Sequence, residues 1–275
     1  MIVDAHQHFW NIETGDYPWL TPDAGVLYRT YAPEDLAPEL QAAGVDATIL
    51  VQAADSYAET DAMLAQADAH PFIAGVVGWV PLTRTEEAAE AIARYGKHRK
   101  FVGVRHLIHE EPDPDWLVRE SVLESLGLLA AAGLTFDVVS LLPRHLEHVV
   151  TIAERHPELR IVIDHLSKPR IKDREWEPWA GLIARAAACP NVHAKVSGLV
   201  TEADHATWTV ADLRPYVDHA VEVFGPERLM FGSDWPVALL AAGYRSVFDA
   251  AVELVGETGR DLVFGDTAAR FYGFS

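Results

Sequence analysis

The chain opens on Ile2-Val3-Asp4-Ala5-His6-Gln7-His8-Phe9-Trp10. Apolar Ile2, Val3 and Ala5 predict a short buried strand with His6-Gln7-His8 at its carboxyl end. Side chains two apart on a strand point to the same face, so His6 and His8 project together. Two imidazoles side by side suit gripping one metal ion, or one polarised oxygen, from two sides. Two surface histidines would look the same, so the decision falls to the rest of the chain.

Working outward, the pattern of that first strand recurs. Further apolar, β-branched runs occupy residues 47–52, 73–80, 101–106, 134–139, 160–165, 191–197 and 229–234. Helical stretches separate them at 34–43, 60–69, 85–95, 117–132, 144–155, 177–188 and 211–224, with a final helical region from Tyr244 onward. His70-Pro71, His156-Pro157, Cys189-Pro190 and Gly225-Pro226 punctuate the turns. Strands alternating with helices imply a parallel sheet. Eight of each, in 275 residues, predict an α/β fold closed as a single (β/α)8 TIM barrel, typically about 250 residues long. An open doubly wound sheet is the competing architecture, but no Gly-x-Gly-x-x-Gly follows the first strand and no phosphate loop appears. The barrel is expected to carry a long first βα loop (residues 11–33) and a C-terminal helical extension, within one domain spanning 1–275.

Composition narrows the function classes. A net charge of −19 argues against nucleic acid or an anionic membrane as partner, because both would repel the chain. A small anionic substrate held by local arginines stays open. The lone Cys189 excludes an internal disulfide and fits a reducing compartment. No charged leader followed by an apolar run opens the chain, and no apolar stretch approaches about 18 residues. The expectation is a cytoplasmic globular protein.

In a barrel of this type the active site lies at the carboxyl ends of the strands. Those ends read His6 and His8, Gln52, Trp79, Arg105, Asp137, His165, Lys195 and Ser197, and Asp234. Any one of them could be a satisfied core polar group. Ionisable groups at six strand ends are harder to dismiss, since converging buried charges without a purpose would be expensive.

Longer motifs carry a resemblance. Asp4-Ala5-His6-Gln7-His8-Phe9-Trp10, Asp16-Tyr17-Pro18-Trp19-Leu20, Asp164-His165-Leu166-Ser167-Lys168-Pro169 and Phe231-Gly232-Ser233-Asp234-Trp235-Pro236 resemble the amidohydrolase superfamily. More narrowly they are similar to its sugar-lactonase-like branch, and Asp266 to Gly273 looks like that branch's C-terminal signature. The resemblance implies a lactonase with His6, His8, His165 and Asp234 as catalytic residues. It further implies that His6, His8 and Asp234 hold one divalent metal ion, zinc or manganese, or that no metal is strictly required. Two departures matter. Arg105-His106 stands where a bridging lysine often sits, and Asp137 where many members place a histidine.

The expected chemistry is hydrolysis of a small sugar-acid lactone or a related carboxylated ring. Asp234 acts as general base on water, and His6, His8 and His165 polarise the carbonyl. Arg105 and Lys195 are expected to bind substrate oxygens, unless either pairs structurally with Asp137. Gln52, Asp137, Trp19 and Trp235 complete the expected substrate-binding set, and the Asp16-Tyr17-Pro18-Trp19 turn is expected to form part of a lid. His106, His109, His145, His148 and His193 are expected to be non-catalytic, with His145 and His148 on a solvated helix face and Glu86-Glu87 and Glu110-Glu111 as solvated surface. A metal-dependent decarboxylase and a non-catalytic binding barrel are the alternatives. The barrel's outer helices could support a homo-oligomer.

Overall fold

The computed structural model describes residues 1–274 and contains eight parallel strands in sequential order. They are β1 (Val3–Gln7), β2 (Ala47–Val51), β3 (Ile73–Gly78), β4 (Phe101–His106), β5 (Thr135–Val138), β6 (Arg160–Ile163), β7 (Val192–Val196) and β8 (Leu229–Phe231). Each pairs with its successor. A parallel bridge between Gln7 and Trp235 joins the last strand end to the first, drawing the sheet into a barrel. The sequence of α-helices is α1 (Pro33–Ala43), α2 (Tyr57–Ala69), α3 (Thr85–Tyr95), α4 (Glu120–Ala131), α5 (Pro143–Arg155), α6 (Trp179–Ala187), the short α7 (Leu199–Glu202), α8 (Val210–Phe224), α9 (Tyr244–Val255) and α10 (Thr267–Tyr272). The (β/α)8 barrel expected from the alternating pattern is therefore the fold.

Local chemistry explains the element boundaries. Ser56 starts α2 one turn earlier than apolar periodicity suggests, because its side chain accepts the Glu59 backbone N–H at 3.1 Å. Asp212 Oδ2 accepts the Thr209 N–H and hydroxyl at 2.9 and 2.7 Å at the start of α8, and Gly44 ends α1 in the left-handed region. β6 and β8 stop short of their predicted ends. Residues 165–168 and Asp234 all take positive φ, so the chain leaves the sheet where the candidate site residues begin.

Two apolar clusters hold the barrel. The larger packs strands against the surrounding helices, through residues such as Leu50, Val76, Phe136, Ile163 and Phe231. A smaller one joins Val3, Ile49, Val77, Val162 and Met230 to Phe271 and Tyr272 of α10. The C-terminal extension thus closes the floor of the barrel, and Tyr272 donates its hydroxyl to Asp137 Oδ2 at 2.7 Å. Above the strands, the long first loop folds back through paired Trp10–Tyr31 backbone hydrogen bonds at 3.1 and 2.9 Å. Tyr17 Oη donates to Glu59 Oε2 at 2.7 Å, and Trp19 Nε1 to the Ala53 carbonyl at 2.8 Å, pinning that loop over β2. Among the described residues, no helix is long and apolar enough to cross a membrane.

Candidate active site

At the carboxyl ends of the strands lies a cavity of about 230 Å³. His8, His165 and Asp234 line its base, Arg105, His109, Glu110 and Lys168 contribute polar walls, and Trp10 and Trp19 lean in from the first loop. His6 sits directly beneath, fully buried.

The base of the cavity is a cluster of acceptors. His8 Nδ1 lies 2.7 Å from the Val51 carbonyl, which can only accept, so Nδ1 carries the proton and Nε2 presents its lone pair. That lone pair lies 3.1 Å from His6 Nε2 and 3.4 Å from Asp234 Oδ1. His6 Nε2 and His165 Nε2 approach the same oxygen at 3.7 and 3.8 Å. His165 is oriented from behind by Ser197 Oγ, 2.8 Å from its Nδ1. Gly198, at φ +61°, makes room for it: a Cβ there would stand 2.6 Å from His165 Nδ1.

Electrostatics set the protonation states. Burial alone would raise the Asp234 carboxyl, but His165, His8 and His6 outweigh it and hold it well below the usual carboxylate range. Burial pushes His165 down to about 4 despite Asp234 and Asp164, and it lowers His8 and His6 as well. Neutral imidazoles and an ionised carboxylate thus face one another with few protons between them. A cation or a positively polarised hydrogen satisfies such a set. Tetrahedral zinc with bonds of about 2.0–2.1 Å places its ligands about 3.3–3.4 Å apart, close to the separations here. The His6, His8 and Asp234 donors therefore fit one divalent ion.

Beneath this cluster runs a buried charge network. Lys195 Nζ lies 2.6 Å from Asp137 Oδ2, 3.0 Å from Asp164 Oδ1 and 3.1 Å from His6 Nδ1. Asp164 Oδ1 stands 3.2 Å from the same His6 nitrogen, and its Oδ2 accepts from Arg105 Nη1 at 3.1 Å. Burial opposes ionisation of Asp164, but Lys195, His6 and Arg105 together hold its carboxyl far below the ordinary value. On the other side of His6, Asp4 Oδ1 accepts the Ser233 and His6 backbone N–H groups at 2.8 and 3.1 Å, while Tyr244 donates to Oδ2 at 3.1 Å.

The structure brings His6, His8, His165 and Asp234 together, with Arg105 and Trp19 on the cavity wall. It separates the others. Lys195, expected to meet substrate oxygens, is 0 % exposed and pairs with Asp137 instead. Asp137 and Gln52 are equally buried; Gln52 accepts from Arg105 Nη2 through both its side chain, at 3.2 Å, and its backbone carbonyl. Trp235 packs edge-on against Phe9 and Tyr31 behind the cavity rather than lining it. Trp79 is used elsewhere too, donating to His106 Nδ1 at 3.0 Å.

His145 and His148 are not on a solvated face as expected. Both are buried: His145 Nδ1 accepts the Leu141 and Leu142 N–H groups ahead of α5, and His148 Nε2 meets Asp115 at 2.7 Å. The segment around Trp116, remote in sequence, covers that helix face. Glu111 pairs with His106 at 2.8 Å instead of standing free in solvent, and Glu110 reaches the cavity rim. The sequence assigns no individual role to Asp4, Asp164 or Lys168, although all three lie inside the motifs that carry the resemblance.

Residues 3–274 match the family model described as amidohydrolase. The chain belongs to the amidohydrolase family. It is 38 % identical over 279 residues to a protein of Burkholderia ambifaria named L-fucono-1,5-lactonase, covering 98 % of this chain and 94 % of that one. A protein of the same name from Burkholderia multivorans is 37 % identical, covering 98 % and 95 %. A crystal structure of an amidohydrolase from Burkholderia multivorans with bound zinc superposes at TM-score 0.94, with 35 % identity and full coverage of both chains.

Proposed function

We propose that this enzyme is a lactonase that opens the ester ring of an uncharged, hydroxylated sugar lactone. The observation that carries the reading is the ionised Asp234 carboxylate facing three histidine Nε2 atoms at the cavity base. Asp234 accepts a proton from water as the water oxygen attacks the ring carbonyl. His165, whose Nε2 carries the proton when Ser197 Oγ donates to its Nδ1, can donate to the carbonyl oxygen as that oxygen gains negative charge, whereas His8 presents only a lone pair there. Protonated Asp234, a strong acid in this setting, then passes its proton to the departing ring alkoxide. A divalent ion held by His6, His8 and Asp234 would add Lewis-acid polarisation of the carbonyl.

Charge favours a sugar lactone over a ring bearing free carboxylates. The cationic wall residues Arg105 and Lys168 are balanced by the anionic Asp234 and Glu110, leaving no surplus for an anionic substrate, and the net charge of −19 opposes one at longer range. The same balance assists release of the anionic product. The L-fucono-1,5-lactonase name of the relatives supports the substrate class. Trp19, braced edge-on by the buried Trp10, offers a flat face for the apolar side of a sugar ring.

The test is hydrolysis of a sugar-lactone panel, followed by a pH indicator, with and without a chelator. Asp234→Asn is expected to lower kcat about 10²–10⁴-fold while leaving the far-ultraviolet circular dichroism unchanged. Residual turnover within tenfold of wild type would refute the role given to Asp234.

A further inference from the structure

Two cationic side chains line the cavity, and they differ in one respect. The Arg105 guanidinium is used internally. Nε and Nη2 donate to Gln52 Oε1 at 3.3 and 3.2 Å, Nη2 also to the Gln52 carbonyl, and Nη1 to Asp164 at 3.1 Å. Lys168 is 29 % exposed, and its one charged partner is Glu202 Oε1 at 3.4 Å. An ammonium has three donors, so at least two remain for a ligand. Among the described residues, Lys168 is the cavity-lining cation with donors to spare.

The backbone that delivers it is unusual. His165, Leu166, Ser167 and Lys168 have φ of 55°, 49°, 61° and 50°. Four consecutive non-glycine residues in the left-handed region are strained, and such strain persists only where the surroundings over-determine it. Here they do. Trp179 Nε1 donates to the Leu166 carbonyl at 2.7 Å, Ser140 Oγ meets Ser167 Oγ at 2.6 Å, and Lys168 N–H donates to the His165 carbonyl at 2.8 Å. Leu166 is wholly buried. One strained turn thereby presents His165 and Lys168 to the same cavity, close enough that the ammonium charge bears on His165 and on His109.

We infer that Lys168 is a substrate-binding residue whose ammonium donates hydrogen bonds to ring hydroxyls of the lactone, with Glu202 of α7 holding it in place. This rests on the sugar-lactone reading above. A cation half-neutralised by a carboxylate suits a neutral polyol, because it supplies donors without surplus charge. Binding energy of this kind is expressed in the ground state and the transition state alike, so its loss raises KM more than it lowers kcat.

The experiment compares wild type, Lys168→Met and Lys168→Arg on the best lactone of the panel, with kcat and KM resolved separately. Both substitutions keep a long unbranched side chain, so backbone strain at position 168 is unchanged. Lys168→Met is expected to raise KM about 10- to 100-fold, a charged hydrogen bond's worth, with kcat within threefold. Lys168→Arg, which restores cationic donors, should recover most of that loss. An unchanged KM in Lys168→Met would overturn the inference while leaving the lactonase reading intact. Equal losses in both variants with lowered melting temperatures would overturn it in favour of a structural role. A wild-type enzyme inactive on every lactone would instead remove the reading beneath it.

Discussion

Replacing Lys195 by methionine removes the ammonium that Asp137, Asp164 and His6 share at 2.6, 3.0 and 3.1 Å. Methionine approximates the volume, so the effect is electrostatic. Asp164 keeps Arg105 at 3.1 Å. Asp137 keeps only hydroxyl donors, Tyr272 at 2.7 Å and Thr135 at 3.4 Å. Stranding a buried charge in this way costs about 3–5 kcal/mol, a large share of a total stability of about 5–15 kcal/mol. At about 2–4 °C per kcal/mol, the melting temperature should fall by about 6–20 °C. The second variant makes the reasoning strict. Lys195→Met combined with Asp137→Asn deletes the stranded charge while keeping an acceptor for Tyr272, and should recover about 1–3 kcal/mol. Urea unfolding of wild type, both single variants and the double variant gives the coupling directly. A single-variant loss below 1 kcal/mol, or a double variant less stable than Lys195→Met alone, would refute the account of this network.

Gly198→Ala puts a methyl 2.6 Å from His165 Nδ1 at a φ of +61°, so kcat should drop at least tenfold; a variant with wild-type kcat would show that His165 has freedom the packing denies. Tyr17→Phe breaks the 2.7 Å tie to Glu59, and faster proteolysis within residues 11–32 is expected, with a raised KM; an unchanged cleavage rate would mean that the loop is held elsewhere. Arg144 first, and His148 second, pull the Asp115 carboxyl down to about 2. A depressed folded-state value means that the contribution is present above the unfolded value near 4 and is lost as pH falls towards 2. The stability gap between wild type and Asp115→Asn should therefore shrink from pH 4 to pH 2, and a gap independent of pH would contradict the pairing.

One physical regularity makes the site legible in the sequence. Parallel strands buried on both faces read as apolar runs, so polar groups at their ends stand out. That makes the whole strand-end set legible, the resemblance of the surrounding motifs singles out His6, His8, His165 and Asp234 within it, and the alternation of eight strands with helices makes their convergence predictable. It is silent on residues whose role depends on a neighbour remote in the chain. Lys195 has the right position and chemistry for a substrate contact, yet Asp137 and Asp164, 58 and 31 residues earlier, occupy all of its charge. His145 and His148 lie on a face that periodicity assigns to solvent until the segment around Trp116 covers it.

By itself, then, the sequence determined the barrel and the end of it that carries the chemistry, which follow from local patterning, while the resemblance of its motifs to a known family singled out the four groups His6, His8, His165 and Asp234. Only the tertiary structure decided which charges point at the cavity and which neutralise one another beneath it. It also revealed the left-handed turn at residues 165–168 that presents Lys168. The reason is that a charge's availability is set by every partner within a few ångströms, and in a closed barrel those partners come from strands scattered along the whole chain.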